Sequence, residues 1–263
     1  MSYLEINGID LWYERAGQGR PVIFLHAFAV SGAMWFGQVS ALTAAGWDVV
    51  WIDQRGHGKS SAPSGAYTVS QMAADVHQLV ERLKLGRVCL VGLSMGGRVA
   101  MRFALDYPDE IAALVLVSSK SEPALEAKDD LEDLIKKVEQ GQIAWAIEEW
   151  YKRPSYHRLA AAAPDLVARL KAEWREKSGN GFVGAARAII EMDPMTNRLS
   201  EIKAPTLALA GELDPLCHPY VALYERSIPR CQGNIAQASG HFVNVEQPDR
   251  FNNLLLAFLS QTG

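Results

Sequence analysis

Three residues of this chain have types and settings that could do nucleophilic chemistry together. Ser94 lies in Gly92-Leu93-Ser94-Met95-Gly96, after the apolar run Val88-Cys89-Leu90-Val91 and before a helical pattern. A strand–turn–helix of the form G-x-S-x-G pushes a serine hydroxyl out on a sharp, strained turn. The glycines carry no Cβ, so strand and helix can approach closely. The following helix start aims backbone N–H groups at negative charge. Taken alone, Ser94 could equally be a turn residue or an N-cap serine.

A serine hydroxyl needs a base, and the motif predicts an acid and a histidine later in the chain, in that order. Asp214 follows the apolar run Thr206–Ala210, and His241 follows the weaker run near Gly233–Ala238. Sites in open parallel sheets form where strands end at their carboxyl side, so these three loops can converge. Glu212 is an alternative acid, and Glu122 a more distant one. His57, His77, His157 and His218 lie in other loops, in helical patterns or too close to Asp214 to partner it. No His or Cys pair has zinc-site spacing, so no metal and no cofactor is expected.

The elements that must position these residues are legible as patterns. Asn7-Gly8 between Tyr3–Ile6 and Ile9–Glu14 signals a hairpin. Short apolar runs at 21–25, 49–52, 88–91 and 114–117 suit buried parallel strands. Thr68-Val-Ser-Gln71 reads as a capping box opening a helix, with Gly86 closing it. Met95–Tyr107 reads as a second helix, ended by Pro108. Strand and helix in series predict a parallel sheet with helices on both faces.

From about Ser121 to Ile202 only helical stripes recur, such as Leu131, Leu134, Ile135 and Val138. Trp145, Trp150 and Trp174 fall in this stretch. The sheet pattern returns at Pro205–Ala210, and Pro248–Ser260 reads as a final helix with Phe251, Leu254, Leu255 and Phe258 on one face.

Composition excludes several function classes. The chain has 263 residues, 49% hydrophobic, enough for a sizeable core. A formal net charge of −4 with scattered basic residues argues against nucleic-acid binding. No apolar run reaches the roughly 20 residues of a membrane helix. The start MSYLEINGID lacks the pattern of a secretory signal. The three cysteines form no CxxC pair. Together these features predict a cytoplasmic protein with reduced thiols.

The chain resembles the α/β-hydrolase fold family. The resemblance is carried by His26-Ala27-Phe28, Asp53-Gln-Arg-Gly-His-Gly-Lys-Ser60, Gly92-Leu-Ser-Met-Gly-Gly97, Gly211-Glu-Leu-Asp214 and Gly240-His241. It implies an eight-stranded, mostly parallel sheet with a helical cap inserted after the sixth strand. Residues 121–202 match that cap, leaving 1–120 and 203–263 as the core. It also implies Ser94 as nucleophile, Asp214 as acid and His241 as base. The oxyanion donors it implies are the N–H groups of Met95 and Phe28. One departure is His26-Ala27, where the family has His-Gly: a positive φ there predicts strain at Ala27 or a reshaped loop.

Within the family, the cap and elbow look most like small carboxylesterases and lactonases, including 3-oxoadipate enol-lactonases, and haloperoxidase-like esterases. The implied substrate is a small-molecule ester or lactone, cleaved through an acyl-enzyme. The cap aromatics suggest an apolar acyl or ring-containing group, although each could simply pack the cap. The same residues could support C–C bond hydrolysis of ring-cleavage products. A ligand receptor on the same scaffold is the non-enzymatic alternative, and the complete set of three residues weighs against it.

Overall fold

A computed structural model describes residues 2–177 and 179–262. Strands β1 (Ser2–Ile6) and β2 (Ile9–Gly17) form the expected hairpin. Asn7 and Gly8 both take positive φ, 44° and 74°, as a tight two-residue turn requires. The sheet continues with β3 (Arg20–Leu25), β4 (Trp47–Asp53), β5 (Val88–Leu93), β6 (Ile111–Val117), β7 (Thr206–Gly211) and β8 (Cys231–Ala236). The strand order is β1-β2-β4-β3-β5-β6-β7-β8. β2 runs antiparallel to both its neighbours, and every other pair is parallel.

All residues of β5 and β7 are buried, which explains why they read as continuous apolar runs rather than alternating ones. Helices α1 (Phe36–Ala44), α2 (Val69–Leu83) and α3 (Met95–Asp106) connect β3 to β4, β4 to β5 and β5 to β6. Thr68 caps α2 by accepting the Gln71 N–H at 3.0 Å, as its sequence predicts. The C-terminus differs from expectation. Lys84, not Gly86, takes the left-handed conformation that ends α2, with φ 53°. The Leu85 N–H bonds back to the Val80 carbonyl at 3.0 Å, and closing that ring offsets the strain of a left-handed lysine. Gly86, φ 68°, then turns the chain toward β5.

Between β6 and β7 the described residues form no strand. Among the described residues its α-helices are α4 (Lys128–Glu139), α5 (Ile143–Tyr151), α6 (Pro154–Ala162), α7 (Pro164–Arg175) and α8 (Asn180–Ile190). Leu131, Leu134, Ile135 and Val138 of α4 are buried, as the stripe predicts. Then come α9 (His218–Ser227), α10 (Val243–Glu246) and α11 (Pro248–Leu259). No helix among the described residues is long and apolar enough to cross a membrane.

The parallel strands deliver their carboxyl ends to one edge of the sheet. The loops after β3, β5, β6, β7 and β8 therefore meet there, beneath the helical segment.

Candidate active site

Ser94 sits where β5 turns into α3, with φ 55° and ψ −111°. Backbone in such a sparsely populated region costs of order 1–3 kcal/mol and persists only where the surroundings enforce it. The surroundings here are glycines. A Cβ at Gly92 would run into the Gly96 carbonyl, and one at Gly96 into the Leu25 carbonyl. The Ser94 N–H is fixed to the Val117 carbonyl at 2.9 Å. Its hydroxyl makes no capping bond to α3, which removes the N-cap reading.

Asp214 and His241 come together from the loops after β7 and β8. The His241 Nδ1–H donates to Asp214 Oδ2 at 2.7 Å. The two loops are stitched by backbone. The Leu213 N–H bonds to the Ser239 carbonyl at 2.9 Å, and a side chain at Gly211 would strike the Gly240 carbonyl. Glu212, the alternative acid, is occupied elsewhere, accepting the Ala238 N–H at 3.0 Å.

Burial alone would push the Asp214 carboxyl up. The hydrogen bond and charge of His241, with the Cys217 thiol beside them, outweigh burial and hold it below the ordinary carboxylate range. Asp214, Cys217 and His241 present donor atoms within 4.8 Å of one another, a spacing that could hold a metal ion. The chemistry of the group fits hydrogen bonding better. Burial and the Asp214 charge push the Cys217 thiol well up, so it stays protonated rather than becoming a thiolate ligand.

Ser94, Met95, Phe28, Asp214 and His241 all line one cavity of about 420 Å³. Among the described residues, the Met95 and Phe28 N–H groups have no internal acceptor. Both residues line the cavity that holds Ser94. Strain in the loop after β3 falls elsewhere than expected. Ala27 does not take positive φ; Ala29 does, at 58°. The reason is visible in the contacts. The Ala29 N–H donates to His57 Nε2 at 3.3 Å, and its carbonyl accepts Tyr151 Oη at 2.8 Å and Trp174 Nε1 at 3.1 Å. The neighbouring Phe28 carbonyl accepts the Tyr156 hydroxyl.

The loop is thus held from both sides. Below it, His26 Nδ1–H donates to the Ala27 carbonyl at 2.7 Å while Nε2 accepts the Gln54 N–H at 2.9 Å. Burial pushes both His26 and His57 down, so each is a neutral imidazole with one donor and one acceptor nitrogen. Above it, burial pushes the Tyr151 and Tyr156 phenols up, keeping them donors. Sequence reasoning gave neither Tyr151 nor Tyr156 a role at the site. It gave Trp174 only a packing role or a place in the pocket wall, and neither describes its bond to Ala29. Of the three tryptophans, Trp150 lines the cavity, and Trp145 is 46% exposed on the outer surface.

Known proteins share this arrangement of elements. Residues 20–248 match the family described as alpha/beta hydrolase fold. A 3-oxoadipate enol-lactonase from Acinetobacter baylyi is 26% identical, over 98% of this chain and 96% of its own. A non-heme chloroperoxidase from Kitasatospora aureofaciens is 26% identical, over 97% of this chain and 98% of its own. The solved structure of a thermophilic esterase from Thermogutta terrifontis superposes with a TM-score of 0.87 at 29% identity, covering 100% of this chain and 99% of its own. With its sheet order, its elbow after β5 and this match across most of its length, the chain belongs to the α/β hydrolase fold family.

Proposed function

We propose that this hydrolase is a serine enzyme that cleaves carboxylic esters or lactones through an acyl-enzyme intermediate. The observation that carries the reading is the strained Ser94 turn opening into the same cavity as the hydrogen-bonded Asp214–His241 pair. The esterase and lactonase relatives support the choice of bond.

His241 takes the Ser94 proton as the hydroxyl oxygen attacks the carbonyl carbon. The carbonyl π electrons move onto oxygen, and the Met95 and Phe28 N–H groups stabilise that oxyanion. One such donor is worth about 3 kcal/mol of transition-state stabilisation. Asp214 holds the imidazole in one tautomer and stabilises its charged form. Collapse of the tetrahedral intermediate breaks the C–O bond, and His241 protonates the departing alcohol oxygen. His241 next takes a proton from water, whose oxygen attacks the acyl carbon. The acid leaves as Ser94 recovers its proton. In a lactone the alcohol and acid are ends of one product.

The helical segment serves in this reading as a cap, with Trp150 and Tyr156 forming part of the substrate wall. The test is a panel of 4-nitrophenyl esters of rising acyl length beside several lactones, with wild type and Ser94→Ala. Turnover by wild type and a loss of at least ~10³-fold in the variant are expected. A wild type that turns over no member of the panel contradicts the reading.

A further inference from the structure

His241 lies in the irregular turn between β8 and α10, residues 237–242. The bond to Asp214 fixes its ring but leaves its backbone to be held by other groups. Glu246, at the end of α10, supplies that hold. Its carboxylate accepts the Gly240 N–H at 2.9 Å through Oε2 and the Phe242 N–H at 3.2 Å through Oε1, one residue on either side of His241. The Glu246 N–H returns to the Phe242 carbonyl at 2.9 Å. The turn that carries His241 is therefore wrapped around one carboxylate, whose side chain is 5% exposed.

A carboxylate so buried is costly unless its charge is met. The cation comes from the helical segment. Arg158 of α6 donates from Nε to Glu246 Oε2 at 2.8 Å. Gly240 records how close the arginine comes: a Cβ there would lie 2.8 Å from Arg158 Nε and 3.0 Å from Glu246 Oε1. Arg158 also lines the cavity that holds Ser94 and His241. Two residues earlier on α6, Tyr156 reaches the Phe28 carbonyl, and its ring packs edge-on against Phe242 with centroids 5.1 Å apart. One helix thus touches both the loop after β3 and the turn after β8.

We propose that Glu246 is a positioning residue for His241 and that Arg158 completes it, so that α6 sets where the base stands relative to Ser94. This rests on the reading of Ser94 as nucleophile and His241 as its base. Two charge-assisted N–H···O⁻ bonds hold the backbone on both sides of the imidazole. Misplacing a reacting group by about 1 Å can cost roughly 100-fold in rate. Glu246→Gln leaves one acceptor oxygen for three N–H donors and removes the charge that Arg158 meets.

The test compares wild type and Glu246→Gln by 4-nitrophenyl ester kinetics, a thermal melt and proton NMR of the His241 Nδ1–H. Isotope-labelled histidine isolates that signal, and its loss in His241→Gln assigns it. In Glu246→Gln that stays folded at the assay temperature, kcat is expected to fall at least about tenfold while KM changes by less than about threefold. The Nδ1–H signal is expected to shift or broaden. Arg158→Ala is expected to lower kcat by about threefold, with partial recovery in Arg158→Lys. The Arg158→Ala loss should vanish in the Glu246→Gln background, whereas the loss of a direct substrate contact would persist there and overturn the role given to Arg158.

A merely structural carboxylate lowers the melting temperature and leaves both kcat and the His241 signal in place. That result in Glu246→Gln overturns the proposal, as does a loss of kcat with an unaltered His241 signal. If Glu246→Gln does not fold, Arg158→Ala decides by the same two readings, since its side chain is 39% exposed. A wild type that hydrolyses no ester, but whose His241 signal responds to Glu246→Gln, supports the positioning and counts against the Ser94 reading instead.

Discussion

The sheet edge and the helical segment above it contribute to the site in opposite ways. At the sheet edge, short-range constraints fix the parts. Ser94 is forced into its turn by glycines two residues on either side, and Asp214 meets His241 because their loops touch through backbone at Gly211 and Gly240. The helical segment instead acts over distance. Tyr151, Tyr156 and Trp174 donate to the Phe28 and Ala29 carbonyls, more than 120 residues earlier in the chain. The first region holds the proposed proton-transfer groups. The second holds the loop whose Phe28 N–H would meet the oxyanion. The helical segment is thus more than a wall: it anchors the Phe28–Ala29 loop beside the cavity.

The sharpest contrast comes from breaking one bond in each region. Asp214→Asn should keep the fold and lower kcat by about 10⁴-fold, because the amide favours the wrong imidazole tautomer. Esterase kinetics beside a thermal melt check this, and a loss below tenfold would separate Asp214 from the chemistry. Tyr156→Phe removes only the hydroxyl that holds the Phe28 carbonyl. It should lower kcat about tenfold, because displacing a positioned donor costs transition-state stabilisation. It should also lower stability by about 1–3 kcal/mol, because a buried acceptor loses its partner. If stability falls and kcat does not, the helical segment braces the fold without tuning the site.

A smaller effect concerns acid stability. The Asp214 carboxyl is held below its ordinary value in the folded chain. Its ionised form therefore favours folding, and that contribution is complete above the unfolded carboxylate pKa of about 3.9. It is lost as pH falls through the depressed folded value. The stability gap between wild type and Asp214→Asn should accordingly narrow as pH drops below about 4. Denaturant titrations at several pH values measure it, and a gap that widens toward acid would contradict the sign.

The two regions also differ in how much of them was legible in the sequence. Glycines that permit close backbone approach leave a local mark, so the elbow at Gly92–Gly96 and the order Ser94, Asp214, His241 could be read directly. Buried parallel strands leave apolar runs, and amphipathic helices leave stripes, so the sheet and the helical stretch were readable too. Of the two outcomes expected at Ala27, strain or a reshaped loop, the strain lies two residues later, at Ala29. The bonds that set Ala29 in the left-handed region come from His57, Tyr151 and Trp174, and no local pattern announces them. Lys84 shows the same limit, since a ring-closing backbone bond put a lysine where glycine was expected.

The most direct measurement of the central claim is labelling with a fluorophosphonate, read by intact mass and peptide mapping. The account predicts one adduct, on Ser94, formed by folded protein and abolished by prior denaturation. It also predicts that His241→Ala slows labelling by orders of magnitude. Absence of an adduct on Ser94, or labelling at the same rate in unfolded protein, would contradict the assignment of Ser94 as an activated nucleophile.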